Sequence, residues 1–165
     1  IMRRKIICLA LAACLACGTL GGCSSGDAGF DAKAYQEAKD TAASYVSEIN
    51  DSMGMNLEFE NSSYDFGENT GIPVTALYYS ADDWSMWVNL ETESEDVSQI
   101  ILSGLGESQN SNLQTVKKVF AYWVDKIGLN ISDSYEDIVK IRDYQEDGYA
   151  ISASLSYFNI QKITE

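Results

Sequence analysis

The stretch Val74-Thr75-Ala76-Leu77-Tyr78-Tyr79-Ser80, Ala81-Asp82-Asp83, Trp84-Ser85-Met86-Trp87-Val88-Asn89-Leu90-Glu91-Thr92 carries the strongest statement about how this chain folds. Both arms are rich in β-branched and aromatic residues, and each alternates larger with smaller or more polar side chains, as a strand with two unlike faces does. A three-residue connection, Ala81 to Asp83, predicts an antiparallel hairpin. With that loop Tyr78 opposes Met86, Ala76 opposes Val88 and Val74 opposes Leu90 on the core face. Tyr79, Leu77 and Thr75 then oppose Ser85, Trp87 and Asn89 on the other.

Working outward, Leu57 and Phe59 alternate with Glu58 and Glu60, the pattern of a half-buried strand, and 62–73, with Gly67, Asn69 and Gly71, reads as loop. Before it, Asp31 is a fitting N-cap, Phe30 and Tyr35 are spaced for a hydrophobic staple, and Tyr35, Ala38, Ala42, Tyr45, Val46, Ile49 and Met53 recur at helical spacing up to Gly54. This predicts a helix over 31–52. After the hairpin, Glu91, Glu93, Glu95 and Asp96 mark a solvated turn, and 97–105 reads as a further strand.

Ser111 and Gln114 have capping-box spacing ahead of an apolar stripe, Leu113, Val116, Phe120, Trp123, Val124 and Ile127, that stops at Gly128. A helical turn is expected near 135–141, where Val139, Ile141 and Tyr144 also fit a strand, followed by a turn at 145–148 and one long strand from Tyr149 to Tyr157. Helix, strands, helix, strands is the order of an α+β domain: an N-terminal amphipathic helix and an antiparallel sheet of about four to six strands, covered on one face by the second helix. The domain should span 30–165, with residues 23–29 as a polar tether.

The first 22 residues differ in kind. Arg3, Arg4 and Lys5 precede an apolar run from Ile6 to Leu20, which is diluted by Gly18 and Thr19 and is too short for the roughly 20 apolar residues a bilayer span needs. A basic start, an apolar middle and a small-residue end make an export signal. Leu20-Gly21-Gly22-Cys23 resembles the lipobox of bacterial lipoproteins. That resemblance implies cleavage between Gly22 and Cys23, a diacylglyceryl thioether on Cys23, and a protein held on the outer face of the cytoplasmic membrane, expected in a Gram-positive organism. Two acyl chains hold a protein on a bilayer where one does not. Leu11-Ala12-Ala13-Cys14 has the same form but would leave only eight apolar residues, Ile6 to Ala13, so the longer run favours Cys23.

Removing the leader takes away three of 11 basic and none of 25 acidic side chains, so 8 against 25 remain and the formal net charge is −17. Nucleic acid requires a basic footprint, which this body lacks, and adhesion to an anionic leaflet by charge is disfavoured. All four cysteines, at 8, 14, 17 and 23, fall in the leader or at the cut, and there is no histidine. Ser-His-Asp, Cys-His and His-metal sites are therefore excluded. A pair of carboxylates could still serve a glycosidase, but no spacing singles one out. Glu91, Glu93, Glu95 and Asp96 lack the calcium-loop pattern, Gly104-Leu105-Gly106 lacks the phosphate-loop pattern, and the sequons at Asn61 and Asn130 read as unmodified in a bacterial chain.

No cofactor is expected, and no catalytic or metal-ligating residue is assigned. The remaining candidate is a mixed aromatic and polar strand face: Tyr79, Trp87 and Leu77 beside Thr75, Asn89 and Ser85, continued by Ser152, Ser154 and Ser156. Rings that share a face with hydroxyl and amide groups can stack on a sugar or peptide and hydrogen-bond its polar edge. The sequence thus points to a non-enzymatic binding module that meets an envelope protein, peptide or glycan. A histidine-free carbohydrate-active enzyme and a structural subunit of an envelope complex are the alternatives.

Overall fold

A computed structural model describes residues 30–66, 71–104 and 109–163, with 109–112 described by their backbone alone. Gly22, Cys23, the tether, the cysteines and the Ser111 side chain lie outside the described residues. The chain runs α1 (Ala32–Met53), β1 (Glu58–Phe66), β2 (Pro73–Ser80), β3 (Trp84–Glu91), β4 (Val97–Gly104), α2 (Gln109–Ile127), α3 (Tyr135–Ile138), β5 (Tyr144–Glu146), β6 (Tyr149–Ser154) and β7 (Tyr157–Lys162). All strands join one antiparallel sheet in the order β1-β2-β3-β4-β7-β6-β5. The α+β class is as expected; the sheet has seven strands rather than four to six.

Helix α1 starts where its cap chemistry dictates. Asp31 Oδ1 accepts from the Lys33 and Ala34 amides at 2.9 and 3.0 Å, which holds its carboxyl below the usual carboxylate range. The Phe30 ring sits 5.6 Å from that of Tyr35, and Gly54 closes the helix at φ 67°, a conformation that glycine adopts without strain. Ala38, Ala42, Val46 and Ile49 form the buried stripe. Helix α2 begins at Gln109, two residues before the expected cap at Ser111, and buries Val116, Val119, Phe120 and Trp123. Both helices pack on the same side of the sheet, α1 over β2 and β3 and α2 over β4 and β7, against Leu77, Met86, Val88, Leu90, Ile100, Leu102, Phe158 and Ile160. Tyr135 of α3 closes the far side: its hydroxyl is shared between the Ser154 and Tyr157 carbonyls at 2.7 and 3.0 Å.

Three expectations are corrected. The first concerns the central hairpin, where Ala81 and Trp84 exchange both backbone hydrogen bonds, at 2.7 and 3.3 Å, so the connection is the two residues Asp82-Asp83. One residue fewer in the loop moves the register by one, and a one-residue slip sends every side chain of a strand to the other face. Leu77 therefore pairs with Val88, Tyr79 with Met86 and Thr75 with Leu90 toward the helices, while Tyr78 pairs with Trp87 and Ala76 with Asn89 on the outside. This register gives the core Leu77, with more apolar area than Ala76.

The second correction is that β1 continues through Ser62 to Phe66, which had read as loop. Polar Asn61, Ser62 and Ser63 hide the strand because an edge strand with little to bury has no reason to alternate. The third is that the stretch from Tyr149 to Tyr157 is two strands turning at Leu155-Ser156. The turn interrupts an alternation that runs unbroken through it in the sequence, and the Tyr135 hydroxyl bonds the carbonyls on both sides of it.

Candidate functional site

The outer face of the sheet bears no helix among the described residues, and the register lays its side chains out in rows. Asn61, Tyr78, Trp87, Ile101, Asn159 and Ser152 are successive partners across β1, β2, β3, β4, β7 and β6. The row above it reads Ala76, Asn89, Gln99, Gln161 and Ala150. Tyr78 and Trp87 stack with centroids 4.5 Å apart and planes 34° from parallel, and Trp87 is 38% exposed. Cross-strand pairing fixes both rings from below, so they offer a preformed apolar plate.

Beside the plate runs a ladder of amides. Asn89 Nδ2 donates to Gln99 Oε1 at 3.1 Å, and Gln99 Nε2 donates to Asn159 Oδ1 at 3.0 Å. Each amide orients the next, so donors and acceptors are held before any ligand arrives. Asn89 Oδ1 is buried and has no hydrogen-bond partner among the described residues. Ser85 lies on the same face, on the far side of Trp87 from the ladder, Ser152 and Ser154 continue the face toward the β5 edge, and Ser156 sits in the β6–β7 turn.

The residues predicted from the sequence to share a ligand face are divided between two faces. Trp87 and Asn89 lie outside. Tyr79, Leu77 and Thr75 lie inside, at 3%, 1% and 0% exposure. The Tyr79 ring meets Phe59 edge-on at 5.8 Å, and burial pushes its phenol up to about 12. The Thr75 hydroxyl is paired with that of Thr92 at 3.0 Å, which satisfies both groups in the core. Three further residues belong to the outer face: Tyr78, which the sequence placed in the core, and Gln99 and Asn159, which sequence reasoning did not single out. Gln99 and Asn159 were findable in principle as amides next to buried apolar residues, Ile100 in one strand and Phe158 and Ile160 in the other.

A concave region lies at one end of the molecule, away from that face. A cleft of about 960 Å3 opens between the C-terminal end of α1, the start of β1, the tip of the β2–β3 hairpin and Thr115. Asp51, Glu58, Glu60, Asp82 and Asp83 line it, with no lysine or arginine. All five carboxylates are exposed; Ser80 donates to Glu60. Met55, Leu57 and Trp84 form its apolar wall. Among the described residues no group of three or more acidic side chains is arranged to hold a metal ion, and no helix is long and apolar enough to cross a membrane. Comparison with models of protein families, with curated proteins and with solved structures finds no match to this chain.

Proposed function

We propose that this protein is a lipid-anchored binding module of the bacterial envelope, working without catalysis, and that its ligand is a glycan laid on the outer face of the sheet. The anchor is the diacylglyceryl thioether on Cys23, on the outer face of a Gram-positive cytoplasmic membrane; the export signal and lipobox in the sequence support it. The observation that carries the ligand class is the Tyr78–Trp87 plate beside the Asn89-Gln99-Asn159 ladder. A sugar ring has an apolar C–H face for the plate and a rim of hydroxyls for amides, and neutral amides suit a ligand that the −17 body would not repel.

Titration of the full chain with soluble cell-wall glycan fragments, followed by isothermal calorimetry, tests this reading. Trp87→Ala should weaken binding about tenfold, a loss of about 1.4 kcal/mol, within the range for one aromatic stacking contact. Unchanged affinity in that variant would remove the outer face from the proposal. The carboxylate-lined cleft favours a second reading, a two-carboxylate carbohydrate-active enzyme. A general acid needs a carboxyl withdrawn from water, and the exposure of all five favours binding over turnover. Glycan cleavage abolished by one carboxylate substitution in the cleft would reverse that preference.

A further inference from the structure

The tether enters the domain at a cluster of exposed aromatic residues. Phe30 packs edge-on against Tyr64, with centroids 4.9 Å apart, and Tyr64 packs against Phe66 at 5.6 Å. Phe30 and Phe66 are nevertheless 48% and 51% exposed, and Ile72, which precedes Pro73, the strand partner of Phe66, is 38% exposed. Large apolar residues grouped this way on a surface mark a contact with another phase or partner. The chain itself limits what that partner is. Six residues lie between Cys23 and Phe30, and the seven steps from one to the other span at most about 25 Å.

We infer that this cluster is a membrane-seating surface, in which Phe30, Phe66 and Ile72 enter the lipid headgroup region and fix the orientation of the domain on the bilayer. The inference rests on the anchoring of Cys23 proposed above. Aromatic rings favour the interface between headgroups and acyl chains, and a surface tethered within 25 Å of the bilayer meets lipid at a high effective concentration. The seating is apolar rather than electrostatic. Lys33 is exposed beside the cluster but pairs with Glu37 at 2.8 Å, the Lys39 ammonium lies over the Tyr35 and Phe59 rings, and Asp31 and Asp65 flank the site.

The fold gives this contact a consequence for the ligand face. Helix α1 has 22 residues and carries the chain from Phe30 to Gly54, about 33 Å along its axis. Strand β1 returns from that far end, where the carboxylate-lined cleft lies, to Phe66. With the aromatic end held on lipid, the cleft and the hairpin tip Asp82-Asp83 point away from the bilayer. The sheet then stands on its end, and its outer face stays open to the envelope.

The test uses the full chain, exported and processed in a bacterial host, then reconstituted in vesicles of phosphatidylglycerol and phosphatidylcholine that carry a photoactivatable lipid. Mass spectrometry reads the acyl group at the N-terminus and, separately, the lipid adducts along the chain. Adducts should concentrate on the peptides holding Phe30 and 62–72, and the double variant F30S/F66S should lower their yield about fivefold while acylation persists. Phe59→Ser, equally exposed but distant from the tether along β1, should leave the pattern unchanged and controls for loss of fold. Adducts spread evenly over an acylated protein, or undiminished in the double variant, would overturn the seating alone. A processed N-terminus without acyl chains would overturn the anchor, and the seating with it.

Discussion

The two faces of one sheet differ more than any two separate parts of this molecule. Toward the helices, β3 presents Met86, Val88 and Leu90, each at 0% exposure. Away from them the same strand presents Ser85, Trp87 and Asn89, and its neighbours add Tyr78, Gln99 and Asn159. The covered face is held by apolar area removed from water. On the open face, pairing between side chains takes that role: one aromatic stack and a run of amides that orient each other. Adjacent residues of one strand thus have unrelated duties, and Tyr78 and Tyr79 show it most sharply. Identical in chemistry and adjacent in sequence, they are separated only by the direction in which the pleat points them.

That pair offers the strongest way to break the comparison. Tyr79→Ala should cost about 3 kcal/mol of stability by leaving a cavity under α1, measured by denaturant unfolding. Tyr78→Ala should cost about 1 kcal/mol, the loss of its stack with Trp87, yet weaken glycan binding about tenfold. Equal stability losses would show that the two faces are not distinct in energy. The next effect concerns the seam between them. Tyr135→Phe removes the donor that serves the Ser154 and Tyr157 carbonyls; stability should fall by about 1 to 3 kcal/mol, and hydrogen exchange in β6 and β7 should accelerate.

Smaller effects sharpen the same contrast at the surface. Asp147 and Gly148 turn β5 into β6 with φ of 52° and 79°, the two left-handed positions of a tight hairpin turn. Gly148→Ala meets no steric neighbour, so its whole cost, about 1 kcal/mol by thermal unfolding, is backbone conformation. The last prediction is one of pH. Lys126 donates to Glu48 at 2.9 Å, Tyr122 donates to the same carboxylate at 2.9 Å, and both hold its carboxyl below the ordinary 4.5. A carboxyl lowered on folding contributes stability above its unfolded value and loses it as pH falls through the folded one. The stability gap between wild type and Glu48→Gln, followed by thermal unfolding, should therefore be small and constant at neutral pH and close below 4.5. A gap that widened on acidification would contradict this sign.

Much of the fold was legible in the sequence because local chemistry and burial agree there. The N-cap at Asp31, the stop at Gly54 and the stripe from Val116 to Trp123 appear where spacing and capping rules put them. Legibility failed where one of the two signals was missing. Strand β1 is polar from Asn61 to Ser63, at an edge with little to cover, so Tyr64 and Phe66 beyond that run did not read as its continuation, and the β6–β7 turn is hidden inside an alternation that runs straight through it. The candidate site was half legible. Trp87 and Asn89 do stand on the open face, but Tyr79, Leu77 and Thr75 are its opposite, because the loop is Asp82-Asp83 and not Ala81 to Asp83. Tyr78, Gln99 and Asn159 come from three strands that no local rule aligns.

The sequence by itself determined the chemistry available to this protein: a chain without histidine and without any cysteine after Cys23, strongly acidic, and built of helices and antiparallel strands. Those are properties of composition, spacing and local propensity, and they need no partner strand to be read. Only the tertiary structure decided which side of each strand faces outward and which amides meet. Side-chain direction in a strand has a period of two, so a single residue of register, set by the exchange of hydrogen bonds between Ala81 and Trp84, decides whether Tyr78 or Tyr79 meets the solvent.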